Sequence, residues 1–321
     1  MVNWLVIGIG DITRKRVIPA ILAEPRSTLY GVVTRDAKKA EAYPGVLAWP
    51  TLEDALHDKA IDAVYVASPV LLHAPQTIEA LRNGKHVLCE KPVAMSFDDA
   101  QAMLQTARTG GRLFGVAYYR RLYPKLMRAK ELIAEGAIGQ PLLAEANYHG
   151  WLESEERAWL RDPAIAGAGP LFDVGSHRID AMNFLFGEPV RATGLLSNAL
   201  HEMAVEDSAT VMMEYANGIH GVVDVRWNSR VPRDQFRVIG TDGEIVLDPL
   251  NGPELRVGER VESLPTHANV HYPLIENFVS AVLDGTPLAC PGNEAVWVDW
   301  ISEVAKSGAT KSFTGEERGI L

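Results

Sequence analysis

The stretch VIGIGDITRKR, residues 6–16, joins an apolar run to two glycines spaced G-x-G and then to a polar segment. This order predicts a buried strand, a tight turn and a helix. In the dinucleotide-binding loop G-x-G-x-x-G/A, the first glycine makes the turn and the second admits the pyrophosphate. The third lets the helix pack on the strand. Gly8 and Gly10 match, whereas Thr13 holds the third position. Because a G-x-G pair alone is more often a simple turn, its meaning depends on the strands and helices that surround it in the chain.

Apolar runs and helical segments alternate through the first third of the chain. Val-rich runs without polar alternation predict strands that are covered on both faces, at residues 3–8, 29–34, 62–68, 85–90 and 112–118. Helices are predicted between and beside them, at residues 12–24, 51–57, 72–82 and 96–108. A βαβα order predicts a parallel, doubly wound sheet, which is the setting that a glycine loop on the first strand requires.

The pattern changes near residue 120. The segment 123–136 has helical spacing, and two hairpin signals come after it, Asn217-Gly218 and Asp242-Gly243, whose glycines are expected to adopt positive φ. The fold class is therefore α/β: an N-terminal Rossmann dinucleotide-binding domain, then an α+β domain with a large, mostly antiparallel sheet. We expect the first to span residues 1–119 and the second, for substrate binding and oligomerisation, residues 120–321. The last helices, near 271–284 and 293–306, could pack on either.

The end of the second predicted strand bears on the choice of cofactor. An acidic residue there binds the ribose 2′-hydroxyl of NAD, whereas a small polar residue with an arginine accommodates the 2′-phosphate of NADP. The sequence reads VVTRDAKK, so Thr34 and Arg35 favour NADP. The alternative is that Arg35 is a solvated surface charge and Asp36 binds the ribose of NAD.

Ligands of such sheets lie at the carboxyl ends of the strands. ASPVLLH (67–73) and CEKP (89–92) come directly after two further strands, and Lys91 stands before a proline that can bend the backbone. The predicted cofactor-binding residues are Gly8, Gly10, Asp11, Ile12, Thr13, Thr34, Arg35, Ser68, Pro69, His73, Glu90 and Lys91.

GPLFDVGSHRID, residues 169–180, places Asp173 and His177 four residues apart, on one face of a helix. A histidine suits proton transfer because its ordinary pKa is near neutral. The alternative is a plain helix start, in which Asp173 complements the helix dipole and His177 is packed.

Together these segments resemble the glucose-fructose oxidoreductase, inositol dehydrogenase and rhizopine-catabolism family of nicotinamide-dependent oxidoreductases. The resemblance rests on the glycine loop and on ASPVLLHA, CEKPVA, YYRRLYP, GPLFDVGSHRID and LIENFVSAVLDGTPL. It implies that Lys91 of the E-K-P motif serves catalysis or substrate orientation. It also implies that Asp173 and His177 of the D-x-G-x-H motif contact substrate hydroxyls, with His177 transferring the proton.

Three positions depart from the family pattern: Thr13, Pro170 in place of a glycine, and Tyr119 where many relatives have asparagine. Candidate substrate-binding residues are Tyr119, Arg120, Tyr148, Trp159 and Arg161.

The resulting hypothesis is an NADP-preferring oxidoreductase acting on a sugar, a sugar derivative or a cyclitol. Its alternatives are an NAD-dependent polyol dehydrogenase, a reductase of a non-sugar such as a dihydrodiol or tetrapyrrole, and a non-catalytic NADP-binding sensor. Relatives are often dimers or tetramers, so we expect a homo-oligomer.

The net charge and the cysteine content narrow the possible partners and the cellular compartment of the protein. A formal net charge of −10 disfavours nucleic acid and anionic lipid as partners, because the summed field repels them. Two cysteines without C-x-x-C spacing indicate neither a disulfide framework nor a thiolate zinc site, and a reducing cytoplasm fits. No apolar run approaches the roughly 20 residues of a membrane span, and no metal motif is present, so we expect neither membrane insertion nor a metal.

Overall fold

The computed structural model describes residues 1–152 and 155–313. The chain forms two compact units. The first contains Met1–Tyr119 together with His267–Ala295, and the second contains the described residues of Arg120–Thr266 together with those from Val296 onward. The segment His267–Ala295, which we call the return segment, therefore belongs to the unit built by the N-terminal third of the chain.

The first unit is built on a six-stranded parallel sheet. Its strands are β1 (Val2–Ile7), β2 (Ser27–Val33), β3 (Leu47–Trp49), β4 (Ala63–Val66), β5 (His86–Cys89) and β6 (Phe114–Val116). They pair in the order β3-β2-β1-β4-β5-β6. The strands are added towards one edge of the sheet from β1 to β3 and towards the other edge from β4 to β6, and ligands of doubly wound folds bind at this switch point between β1 and β4. β4 is buried throughout, as its unbroken apolar run predicts.

Ten α-helices accompany the strands in the described ranges. They are α1 (Ile18–Ala23), α2 (Ala37–Ala40), α3 (Leu52–Leu56), α4 (His73–Arg82), α5 (Phe97–Gly110), α6 (Pro124–Ala134), α7 (Pro163–Ala166), α8 (Ser176–Phe186), α9 (Tyr272–Asp284) and α10 (Gly292–Ser307). The N-termini of α3 and α5 are capped by side chains: the hydroxyls of Thr51 and Ser96 each accept the N–H of the aspartate three residues later, at 3.2 Å.

The second unit is built on a nine-stranded sheet. Its strands are β7 (Pro141–Trp151), β8 (Pro189–Ser197), β9 (Ser208–Tyr215), β10 (His220–Arg226), β11 (Asn228–Gly240), β12 (Glu244–Leu247), β13 (Glu254–Val257), β14 (Arg260–Ser263) and β15 (Thr310–Ser312). Their order is β14-β13-β12-β11-β7-β10-β9-β8-β15, and among these described strands only the β7/β10 pair is parallel.

A buried ion pair fixes α8 in this unit. Arg121 and Asp180 are each 1% exposed, and two guanidinium nitrogens donate to the carboxylate at 2.7 and 3.0 Å. Removing one partner of such a pair leaves an uncompensated buried charge and costs about 3–5 kcal/mol. The pair therefore holds the helix that carries the D-x-G-x-H motif.

The predicted fold class is confirmed by a parallel Rossmann sheet followed by a mostly antiparallel one. One hairpin differs in detail. Gly218 adopts φ +78° between β9 and β10, as expected, whereas Gly243 is not among the residues with positive φ. The turn from β11 to β12 is closed by Gly240, whose N–H donates to the carbonyl oxygen of Gly243 at 2.9 Å. Among the described residues, no helix is both long and apolar enough to cross a membrane.

Candidate active site

The loop after β1 brings the chain against the end of β4. Gly8 has φ +87°, and a Cβ there would lie 2.7 Å from the carbonyl oxygen of Ala67, so only glycine fits. A Cβ built on Gly10, by contrast, meets no atom within 4 Å. The space in front of Gly10 is open to a ligand, and the loop fits the pyrophosphate of a nicotinamide dinucleotide.

The departure at Thr13 is accommodated within the loop. Thr13 is fully buried, and its hydroxyl donates to the carbonyl oxygen of Gly10 at 2.9 Å. The helical segment that starts at Asp11 passes through a π turn, Thr13–Val17, before continuing as α1. Asp11 and Ile12, also predicted cofactor contacts, lie exposed at the start of this helical segment.

The loop is joined to the end of β2, because the N–H of Gly8 donates to the carbonyl oxygen of Val33 at 3.2 Å. The Thr34 hydroxyl accepts the N–H of Asp36 at 3.2 Å, and the Asp36 carboxylate accepts the N–H of Lys38 at 3.1 Å. The carboxylate is thus engaged with the backbone of its own turn, while Arg35 is exposed beside it.

His73, a predicted cofactor contact, is buried between the loops after β4 and β5. Its ring is 1% exposed, with Nδ1 2.9 Å from the carbonyl oxygen of Pro92 and Nε2 2.9 Å from that of Ser68. Burial lowers the pKa of His73, although both carbonyl contacts oppose that effect. Both ring nitrogens face backbone carbonyl oxygens, so His73 lies between the loop after β4, with Ser68 and Pro69, and the loop after β5.

Glu90 and Lys91 directly follow β5. Glu90 is 8% exposed and accepts a hydrogen bond from the Tyr65 hydroxyl at 2.7 Å, while Lys91 is half-buried. Burial raises the pKa of Glu90, but the nearby imidazole of His271, followed by Tyr65 and Lys91, outweighs burial and lowers the pKa overall. The structure therefore places a buried carboxylate next to the lysine of the E-K-P motif.

The D-x-G-x-H segment is not a regular α-helix throughout. Leu171–Gly175 form a π turn that continues directly into α8, and the N–H of Ser176 bonds to the carbonyl oxygen of Leu171. The Ser176 hydroxyl takes the place of the missing α-helical donor by bonding to the carbonyl oxygen of Phe172 at 2.7 Å. Asp173 lies half-buried in this wide turn. π turns of this kind are frequent at functional sites.

His177 lies in the first turn of α8 and is 4% exposed. Because residues four apart are about one helical turn apart, Asp173 and His177 lie on the same side of the segment. Both belong to the second unit, whereas Lys91 belongs to the first.

Arg178 holds the π turn Leu171–Gly175 in place, and no sequence pattern predicted this role of Arg178. Its guanidinium is fully buried and donates to the carbonyl oxygen of Val174 at 2.9 Å and to the Asp234 carboxylate at 2.5 Å. It also lies 4.8 Å from the ring centre of Tyr148. Burial and the neighbouring Arg120 lower the pKa of Arg178 to about 10, so it remains a cation at neutral pH. The turn carrying Asp173 is thereby fastened to β7 and β11.

Glu206 caps the start of the same turn. Its carboxylate accepts the N–H of Leu171 at 3.1 Å, and burial raises the pKa of Glu206 against the opposing effect of backbone N–H groups. A carboxylate at a helix start is stabilised by the exposed N–H groups and the helix dipole. Sequence patterns gave no signal for this contact, because Glu206 is 35 positions away.

The predicted substrate-binding residues occupy different surroundings. Arg120 is 8% exposed, and its guanidinium donates to Oδ1 of Asn251 at 3.1 and 3.2 Å. Tyr148 packs against Arg178, and Arg161 is half-buried. Trp159 is 45% exposed. In the first unit, the Tyr119 ring lies 4.7 Å from that of His271.

In the described part of the chain, no three His, Cys, Asp or Glu side chains are grouped so that they could hold a metal ion.

Comparison with known proteins finds a matching family model for each of the two units. Residues 2–118 match the model described as "Oxidoreductase family, NAD-binding Rossmann fold", and residues 126–246 match the GFO/IDH/MocA C-terminal domain. The chain is 29% identical to 1,5-anhydro-D-fructose reductase of Ensifer adhaerens, over all of both chains. It is also 29% identical to D-xylose 1-dehydrogenase (NADP(+)) 2 of Haloferax volcanii, over 95% of this chain and 97% of the other.

Solved structures share the fold. Levoglucosan dehydrogenase in complex with NADH and levoglucosan superposes with a TM-score of 0.87 and 24% identity, covering 97% of this chain and 99% of that one.

Proposed function

The chain belongs to the GFO/IDH/MocA family of NAD(P)-dependent oxidoreductases, and from that premise we propose that it transfers a hydride between NADP(H) and a carbinol or carbonyl carbon of a sugar, a sugar derivative or a cyclitol. The observation that carries the proposal is one chain holding the glycine loop, the buried Glu90 beside Lys91, and the fastened turn of Asp173 and His177. Sugar-acting relatives over the whole length support the substrate class.

The choice of NADP rests on the end of β2. The Asp36 carboxylate is hydrogen-bonded to the N–H of Lys38, so binding a ribose hydroxyl would compete with that bond. Arg35 is exposed at the same turn and supplies the charge that a 2′-phosphate needs. The rest of the cofactor site would be the glycine loop and the strand-end residues Ser68 and Pro69.

When bound, the nicotinamide supplies the hydride chemistry, and the protein supplies orientation and charge. We assign His177 the proton on the substrate hydroxyl, since a positioned imidazole can take it up or return it near neutral pH. Asp173, held in the wide turn, accepts hydrogen bonds from substrate hydroxyls. Lys91, as an ammonium, stabilises negative charge that develops on the reacting oxygen.

The test is NAD(P)H formation or consumption with both cofactors over a panel of sugars, cyclitols and their keto forms. Turnover that is faster with NADP supports the proposal and identifies the substrate class. Turnover only with NAD would favour a polyol dehydrogenase, and turnover confined to dihydrodiols or tetrapyrroles would favour a non-sugar reductase. Tight cofactor binding without turnover on any compound would favour a sensor.

We further propose that the protein is a homodimer or homotetramer that associates through one face of the nine-stranded sheet. The β pairing puts Thr193, Met212 and Val222 in one row of that face, and Leu195 in the next. Leu195 is 77% exposed and Met212 is 52% exposed, which is unusual for large apolar side chains on paired strands. Light scattering at micromolar concentration tests this proposal, and a monomeric mass would contradict it.

The two cysteines, Cys89 and Cys290, are both buried thiols, which supports the proposal that the protein works in the reducing cytoplasm.

A further inference from the structure

A buried imidazole faces the carboxylate that precedes Lys91. His271 is 1% exposed, and its Nε2 lies 3.6 Å from Oε1 of Glu90. The same oxygen accepts the hydrogen bond of Tyr65, whose ring is fully buried. The second oxygen, Oε2, accepts the N–H of Lys91 at 3.3 Å. Glu90 is thus surrounded by groups that interact best with its anionic form.

His271 comes from the return segment, about 180 residues after Glu90 in the chain. Its N–H donates to Oδ1 of Asn269 at 3.1 Å, and the Asn269 amide donates to the carbonyl oxygen of Arg16 at 2.7 Å. The guanidinium of Arg16 in turn donates to the carbonyl oxygen of Ala268 at 3.2 Å. The imidazole is therefore delivered by a segment that is fastened to the helix directly after the glycine loop.

The ring has little freedom to leave this position. The ring packs against Tyr119 with ring centres 4.7 Å apart. The backbone carbonyl oxygen of His271 accepts the N–H of Ile275 in the first turn of α9. An ionised carboxylate is costly to bury unless partners compensate it. A tyrosine hydroxyl, one long backbone contact and the Lys91 charge compensate the carboxylate from β4 and from its own loop, and the imidazole is the compensating group that the return segment supplies.

We propose that His271 is a positioning residue for Lys91: it holds Glu90 as a fixed, buried anion, and Glu90 in turn keeps the Lys91 ammonium charged and in place for the reaction. The role of Lys91 rests on the proposed function, but the pairing of His271 with Glu90 can be measured in the resting protein.

The other groups around Glu90 define the effect of removing the imidazole. Tyr65 faces it from β4, Lys91 from its own loop and His271 from the return segment, while the buried His73 of α4 feels the Glu90 charge, which acts to raise the pKa of His73. Without His271 the effect of burial is opposed only by Tyr65 and Lys91 among these groups, so Glu90 takes up a proton at higher pH. The anion beside Lys91 is then lost over a wider acidic range.

The experiment compares His271→Leu and His271→Gln with a matched control, His57→Leu, since His57 is exposed at the end of α3 in the same unit. The carboxyl carbon of Glu90 is followed by NMR in protein labelled at glutamate, with Glu90→Gln for assignment. We expect the Glu90 titration to move upward by about one pH unit in His271→Leu, by less in His271→Gln, and not at all in the control.

The second readout is the pH profile of NADPH-dependent turnover. The acidic limb of kcat should move upward with the Glu90 titration, giving about a tenfold loss on that limb at fixed pH, while KM for the cofactor is unchanged. A Glu90 titration that stays in place in both His271 variants overturns the pairing. A shifted titration with an unchanged pH profile overturns the link to Lys91. A wild-type protein without turnover would refute the proposed function, while the NMR titration would still decide the pairing.

Discussion

The two glycines of the first loop are predicted to fail in different ways when each is replaced by alanine. Gly8→Ala forces a side chain to φ +87°, which costs about 1–2 kcal/mol. Its Cβ would also lie 2.7 Å from the carbonyl oxygen of Ala67, and such overpacking adds about 1–3 kcal/mol. We therefore expect Gly8→Ala to lose about 2–5 kcal/mol of folding free energy, a large part of the stability of an ordinary domain.

Gly10→Ala is the matched control. A Cβ on Gly10 meets nothing within 4 Å, and its φ lies outside the left-handed region, so stability should be unchanged or rise by about 0.4–1 kcal/mol. The new methyl group occupies the space proposed for the pyrophosphate. We therefore expect NADPH affinity to fall at least about tenfold, which is about 1.4 kcal/mol of binding free energy.

Urea unfolding followed by circular dichroism measures the first effect, and NADPH fluorescence titration measures the second. If Gly10→Ala proves as unstable as Gly8→Ala, the loop is not open in front of Gly10 and the distinction between the two glycines is wrong. If Gly10→Ala binds NADPH as tightly as the wild type, the cofactor does not lie against this loop.

Three further substitutions test the cofactor site, the proton transfer and the stability of the second unit. Arg35→Asp should lower the ratio of NADP to NAD affinity by about 10–100-fold, because a charged hydrogen bond is worth about 1.5–3 kcal/mol; an unchanged ratio would remove Arg35 from the cofactor site. His177→Ala should lower kcat by about 10²–10⁴-fold with cofactor affinity retained. Steady-state kinetics and a cofactor-binding titration measure the two effects, and an unchanged kcat or a lost cofactor affinity would contradict the prediction. Asp207→Asn tests stability: burial raises the pKa of Asp207, but N–H groups of Leu200 and its neighbours outweigh burial and lower it overall. Because the folded-state pKa is depressed, the stabilisation is present above the ordinary carboxyl range and is lost as pH falls through the folded value. The variant should therefore be about 1–3 kcal/mol less stable in urea at pH 7, with the gap closing below about pH 4.

Local signals in the sequence were sufficient for most of the first unit. Buried parallel strands are continuous apolar runs, so β1, β2, β4, β5 and β6 could be located from residue type alone. β3 could not, because it has only three residues, two of them exposed and one half-buried, and its pairing with β2 alone defines it. The strand order of the nine-stranded sheet was likewise beyond local patterns, since its parallel β7/β10 pair joins segments far apart in the chain.

At the candidate site, too, some residues could be predicted from local sequence and others only from contacts between distant segments. Gly8, Gly10 and Lys91 belong to short motifs whose meaning is local, and the structure places each at the end of a strand of the first sheet. His73 belongs to such a motif as well, but its contacts with the carbonyl oxygens of Ser68 and Pro92 gave no signal in the sequence. Glu206 and His271 lie in no motif. Their roles come from contacts across 35 and about 180 positions, which only the folded chain brings together.

Hydride transfer itself can be followed with NADPH that carries deuterium at C4, together with the keto form of whichever sugar or cyclitol is turned over. Mass spectrometry of the product then shows whether the hydrogen moves from the cofactor to the substrate carbon. We expect one deuterium on the new carbinol carbon for each NADPH consumed. A reduced product without deuterium, or no product with any member of the panel despite tight NADPH binding, would contradict the proposed hydride transfer.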